Sequence, residues 1–203
     1  MGSIASRAAL VSPSFAKMPL EDGFMFLETL KNTISRAVSS WLRSSKASEN
    51  SAVTVKKIFA PVNGNLFPLK QSADPAHQQE ALGKGVCIMP LGGKIYAPID
   101  GIIEMLFDTK HAIDVKSTEG IEVLIHCGID TVKLGGKGFT AHVQEGDTVK
   151  AGQLLLEYDE DIITRAGYSL ETQVVVTNTA GLKVVTQEKT GDCTVGDLIL
   201  SIE

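Results

Sequence analysis

The chain is poor in cysteine, aromatic residues, basic charge and long apolar runs. Its three cysteines, Cys87, Cys127 and Cys193, are odd in number and have no CxxC spacing. A disulfide scaffold is thereby excluded, and they read as small buried side chains of a protein in a reducing compartment. No stretch approaches the roughly 20 apolar residues of a spanning helix, and the start lacks the compact apolar run of a secretory signal. Lys and Arg total 19 against 24 Asp and Glu, a formal charge of -5. Nucleic acid is excluded as the main partner, because a phosphate-neutralising surface needs clustered cations. A protein partner or a small anionic group suits this balance, and the expected location is cytoplasmic. The 203 residues are 43% apolar, enough for one core and an extension.

What is present is uneven along the chain. Residues 1–23 are rich in Ser and Ala, carry Pro13 and Pro19 and show no period; they read as a disordered leader. Their opening Met1-Gly2-Ser3 also fits the permissive N-myristoylation pattern. Over residues 24–46, Phe24, Leu27, Leu30, Ile34, Val38, Trp41 and Leu42 recur at helical spacing, with Lys31, Arg36, Arg43 and Lys46 on other faces. That pattern predicts an amphipathic helix, either a peripheral membrane contact or a packing helix. A polar linker at 47–52 leads to the domain proper, 53–203.

In that domain short β-branched runs at 86–89, 102–107, 121–125, 174–176 and 198–202 alternate with Gly, Pro, Asn and Asp. The fold class expected is all-β, an antiparallel sandwich or barrel. Two echoes point to a duplicated motif. Ala60-Pro61-Val62-Asn63-Gly64 returns as Ala97-Pro98-Ile99-Asp100-Gly101, and Gly146-Asp147 through Gly152-Gln153-Leu154 returns as Gly191-Asp192 through Gly196-Asp197-Leu198.

The candidate chemistry lies on a predicted hairpin that carries His111 and His126. If its turn centres between Thr118 and Glu119, residues summing to 237 face each other, and His111 stands opposite His126, with β-carbons about 4.5–5.5 Å apart. A turn with Gly120 as a left-handed bulge residue shifts the pairing by one and puts Cys127 opposite His111. Two close imidazoles disfavour double protonation, so one stays neutral as a nucleophile while the other can donate to an incoming phosphoryl oxygen. Strand alternation puts Thr109 beside His111, and the Gly128 carbonyl is a candidate for fixing a tautomer. Against this stand two blander readings: ordinary half-buried strand histidines, and half of a zinc site. His77 and His142, among polar neighbours, read as solvated loop residues.

Gly83-Lys84-Gly85, Phe107-Asp108-Thr109-Lys110-His111-Ala112, Leu124-Ile125-His126-Cys127-Gly128-Ile129-Asp130-Thr131-Val132, Lys137-Gly138-Phe139 and Glu145-Gly146-Asp147 together resemble the enzyme IIA domain of the glucose family of the bacterial sugar phosphotransferase system. The likeness runs from about Val53 to Glu203. It implies a phosphotransferase component that works through a phosphohistidine: Nε2 of His126 as acceptor, His111 in support, Thr109 holding His111. It implies HPr as donor and an enzyme IIB domain of a sugar permease as acceptor, with regulated transporters or kinases as further partners. Phe107, Ile113, Leu124 and Val132 would form the apolar docking surface, with Asp130 for an arginine of the donor. No cofactor is required by the likeness, although zinc can sit on the pair His111 and His126 when a partner completes its ligands. It also favours the membrane reading of residues 24–46. The chain departs from the pattern in three places: Asp74-Pro75-Ala76-His77 where phenylalanine is usual at the last position, Lys84 between the two glycines, and Cys127 in place of phenylalanine. A swinging-arm carrier, suggested by Glu145-Gly146-Asp147-Thr148-Val149-Lys150, lacks the lysine hairpin tip that such domains modify.

Overall fold

In the computed structural model of the chain, residues 56–182 and 185–203 are described. The expected leader, amphipathic helix and linker, and the first residues of the expected domain, lie outside them. In chain order the first elements are β1 (Lys56–Phe59), β2 (Gly64–Pro68), α1 (Pro75–Gln78), β3 (Lys84–Pro90), β4 (Lys94–Tyr96), β5 (Gly101–Leu106), β6 (Ala112–Lys116) and β7 (Glu122–Cys127). Then come β8 (Phe139–Ala141), β9 (Thr148–Val149), β10 (Leu154–Tyr158), α2 (Glu160–Arg165), β11 (Thr172–Val176), β12 (Val185–Gln187), β13 (Gly191–Cys193) and β14 (Leu198–Ile202). Every strand pair is antiparallel, so the described residues form a mostly β fold with two short helices and three single 3-10 turns.

The strands make one eight-stranded sheet, ordered β13-β2-β3-β11-β7-β6-β5-β9, and two three-stranded sheets, β1-β14-β12 and β4-β10-β8. All three enclose one apolar cluster, to which Ile58, Ile95, Ile103, Ile125, Leu155, Val174 and Ile199 contribute wholly or almost wholly buried side chains. Each is worth about 1.5–3 kcal/mol relative to exposure. The three cysteines are free and buried, and burial pushes the Cys87 and Cys127 thiols up to about 12.

The sequence echoes turn out to be interlocked turns. Ala60 donates its N–H to Asp197 O and accepts from Gly196 N, while Ala97 donates to Gln153 O and accepts from Gly152 N. The first echo thus binds the second in the same way twice, which is why both recur together.

The strand that organises the site is β11. All five of its residues are buried, because it lies between β3 and β7 with both faces covered. Val174 and Val176 join the main core, whereas Val175 packs on the other face with Leu69 and Cys87. By alternation Gln173 belongs with Val175, on the face crossed by the β2–β3 connection. β3 approaches β11 closely: a β-carbon on Gly85 would lie 2.1 Å from Val174 O, and one on Gly83 would lie 2.0 Å from Val176 O. Backbone contact of that kind accounts for the Gly-Lys-Gly motif.

The β6–β7 hairpin takes the shifted register. Gly120 has φ 84, and Ala112, not His111, pairs with His126. His111 stands opposite Cys127, whose N–H donates to His111 O at 2.7 Å. The pairing in which residues sum to 237 is therefore corrected by one.

Within β6, Asp114 has an Oδ1 shut off from solvent and without a partner. Burial, then the Glu122 and Glu104 carboxylates, push its carboxyl up to about 7. A raised carboxyl pKa means that the folded state keeps a proton which the unfolded chain has already lost above pH ~4. Its contribution is full below that point and is lost as pH rises through about 7. Asp114→Asn is expected to be more stable than wild type at pH 8, by on the order of 2 kcal/mol, with the gap closing near pH 4.5. Paired urea midpoints at the two pH values measure it.

Candidate functional site

His126 sits near the end of β7, directly between Ala112 of β6 and Gln173 of β11. Cross-strand partners share a face, so the Gln173 amide reaches the imidazole: Oε1 lies 2.9 Å from His126 Nδ1. The amide is itself oriented from behind, since its Nε2 donates to Glu171 Oε1 at 3.0 Å. Glu171 also accepts from the Ser72 hydroxyl, and from Ala73 N–H at 3.2 Å. With its nitrogen committed to a carboxylate, Gln173 presents its oxygen to His126 and accepts from Nδ1–H. The lone pair of His126 is consequently on Nε2.

His111 precedes β6 and follows Lys110, whose φ of 56 breaks strand alternation. That turn brings the His111 ring to a centroid distance of 5.1 Å from His126, edge to face at 83°, although the two residues are not paired in register. Thr109 Oγ1 lies 2.6 Å from His111 Nδ1. When this hydroxyl donates, the hydrogen of His111 is on Nε2 and is available to an oxygen acceptor. The expected contacts among His126, His111 and Thr109 are present, made by a turn instead of a continuous strand.

Burial pushes His111 down to about 3, assisted by the charge of His126. Burial, then the charge of His77, push His126 down to about 4, against the Gln173 bond and the Asp74 and Asp130 carboxylates. Both imidazoles are neutral at pH 7, so Nε2 of His126 is an unprotonated nucleophile.

The residues expected to dock partners divide by face. Phe107 is half-buried and sets its ring against His111 at 5.4 Å. Asp130 is exposed, in a left-handed turn with φ 63, and pairs with Lys133 at 3.0 Å. Val132 is 36% exposed, but Leu124 is 5% exposed and Ile113 is wholly enclosed on the core side of β6. Those last two are core and lining residues here, because the shifted register turns Ile113 inward against Ile125.

Sequence reasoning missed Gln173 and misplaced His77. The available signal for Gln173 was a lone amide in the apolar run Thr172-Gln173-Val174-Val175-Val176, where an unpaired polar group is costly. Gly128 was the expected tautomer anchor, but its φ of 81 serves the turn out of β7, and a β-carbon there would lie 2.5 Å from Thr131 Cγ2. His77, expected in solvent, is only 4% exposed. Asp74 caps α1 by accepting from Ala76 N–H and also holds His77 Nδ1 at 2.9 Å, which turns the ring inward to 5.2 Å from that of His126. His142 is exposed as expected and pairs with Glu157. Among the described residues no three His, Cys, Asp or Glu side chains come together so as to hold a metal.

Gln173→Leu is expected to slow chemistry at His126 on the order of tenfold to a hundredfold by freeing its tautomer. Initial rates of modification at His126, with its site confirmed by peptide mass, would show it.

Residues 56–182 match the family model described as phosphoenolpyruvate-dependent sugar phosphotransferase system, EIIA 1. A glucose-specific EIIA component of that system from Oceanobacillus iheyensis is 39% identical over 140 residues, 69% of this chain and 85% of that protein. A beta-glucoside-specific EIIBCA component from Dickeya chrysanthemi is 49% identical over 127 residues, 63% of this chain but 20% of that protein. Among solved structures, the glucose permease IIA from Mycoplasma capricolum aligns with a TM-score of 0.69 at 31% identity, covering 73% of this chain and 96% of that one. The chain thus spans most of the single-component relatives and about a fifth of the multi-component ones.

Proposed function

Since the chain belongs to the EIIA 1 family of the phosphoenolpyruvate-dependent sugar phosphotransferase system, and so is a phosphoryl carrier of that system, we propose that His126 is the side chain that carries the phosphoryl group. The observation that supports this most strongly is the Nδ1 bond to Gln173, which leaves the lone pair on Nε2 beside the His111 ring.

In the proposed step the Nε2 lone pair of His126 attacks the phosphorus of phosphorylated HPr. The P–N bond to the donor histidine breaks, and its electron pair returns to the donor ring. The Nδ1–H of His126 stays on the ring and donates to Gln173 Oε1 throughout, so the ring gains positive character as the new bond forms. The Glu171 carboxylate, one amide away, offsets that charge. His111, held by Thr109, donates Nε2–H to a phosphoryl oxygen. The reverse displacement then passes the group to an enzyme IIB domain, consistent with the EIIBCA and EIICBA arrangement of two relatives. Phe107 and Val132, with Asp130 at the rim, form the contact surface for both partners in this reading. The sugars named for the relatives, glucose and beta-glucoside, make a sugar of that class the end acceptor. Among the described residues no helix is long and apolar enough to cross a membrane, and the proposed setting is cytoplasmic, with a membrane contact assigned to residues 24–46.

The test is incubation with phosphoenolpyruvate, enzyme I and HPr, followed by intact mass. A gain of one acid-labile, alkali-stable phosphate supports the proposal; no gain with an active HPr rejects it.

A further inference from the structure

The proposed step uses two of the three imidazoles at this site, and the third is held as carefully as the others. His77 lies on a one-turn helix whose N-cap, Asp74, spends one carboxylate oxygen on Ala76 N–H and the other on His77 Nδ1. Asp74 is held at a pKa of about 2, chiefly by that bond to His77. It is therefore a permanent carboxylate, and Nδ1 of His77 is the donor in the pair. The opposite nitrogen, Nε2, is buried and has no hydrogen-bond partner. A buried polar atom without a partner is costly and rare in a folded protein, so its persistence calls for an occupant.

The position of the ring supplies one. It lies 5.2 Å from the His126 ring, tilted by 36°. A phosphoryl group on His126 places three anionic oxygens in that space, next to a nitrogen that has no partner and becomes a donor to them once it takes up a proton. The neighbouring groups allow the match: Asp74 balances an imidazolium on one side, and His126 itself is neutral on the other.

We propose that His77 is a third phosphoryl-binding residue, donating its Nε2–H to an oxygen of the group on His126 while Asp74 holds Nδ1–H. No bond to phosphorus forms or breaks at His77. The additional proton comes from solvent, stays on the ring while the phosphate is present, and returns to solvent when the phosphate leaves. The Asp74 and His77 pair stabilises the loaded state relative to the empty one. It sets how far the phosphate equilibrium lies toward this chain.

This inference rests on His126 as the acceptor, and the experiment separates the two. The full chain is loaded from phosphoenolpyruvate through enzyme I and HPr. Histidine ring nitrogens are followed by 15N NMR, and the equilibrium ratio of phosphorylated chain to phosphorylated HPr is measured for wild type, His77→Phe and Asp74→Asn. Phenylalanine keeps a ring against His126 but has no nitrogen to bind the phosphate. Loading of wild type should convert His77 Nε2 from an unprotonated to a protonated signal, and each variant should shift the ratio about tenfold toward HPr. Phosphate on His126 with an unchanged Nε2 signal overturns the inference alone, whatever the variants do, as do unchanged ratios in correctly folded variants. Failure of wild type to load at all removes the acceptor reading and this inference with it.

Discussion

His126→Ala is expected to take up no phosphate from HPr, a loss of at least about four orders of magnitude, while remaining folded. The proposed nucleophile disappears, and no neighbour replaces it. His111 has its Nδ1 tied to Thr109 and is almost wholly buried, at 1% exposure. His77 is anchored to Asp74 at right reach for an oxygen of the group but not set up to receive it from a partner through an exposed face. The fold survives because His126 is half-buried near a strand end and its backbone ladder with Ala112 and Gln173 needs no side chain. Stability should fall by about 1–3 kcal/mol, since Gln173 Oε1 loses its donor inside the protein. Intact mass after loading and a urea unfolding curve give the two halves of this result. Phosphate retained by the alanine variant would move the acceptor to another residue.

Gly85→Val is the stability counterpart. In β3 this residue pairs with Val175, and any β-carbon meets the Val174 carbonyl oxygen at 2.1 Å and the Val175 Cα at 2.9 Å. Both obstacles are backbone atoms of a central strand, so no rotamer change relieves them. Either β3 or β11 must move, and β11 carries Gln173 and completes the core through Val174 and Val176. The expected loss exceeds about 4 kcal/mol, at the far end of single substitutions, which leaves little or no folded protein. Soluble yield and the midpoint of urea unfolding measure it. A variant with a near-native midpoint would mean that the two strands can separate freely.

These two cases also show what could be read from the chain alone. The strands were visible because half-buried and buried β-branched runs leave a period in the sequence, and the echoes were visible because each copy of a turn needs its own Pro and Gly. The pairing of His111 with His126 was legible as a proximity but not as a register. One residue, Gly120, decides the register through a positive φ, and nothing in its neighbours announces that choice. Ile113 shows the cost of that ambiguity, since a shift of one residue exchanges the faces of a strand. Gln173 and His77 were illegible for a different reason. Their roles come from segments distant in sequence, β7 with β11 and the β2–β3 connection over both, and local pattern holds no record of what lies across a sheet.

The pairing of β1 with β14, Lys56 against Ile202, has a consequence for how such a unit is joined to others. The first and last described strands lie side by side, in a sheet that holds none of the site residues. A polypeptide therefore enters and leaves at one doorway. The unit can hang from a single tether at either end, or be spliced into a host chain through two adjacent junctions, with no strand of the eight-stranded sheet having to be cut.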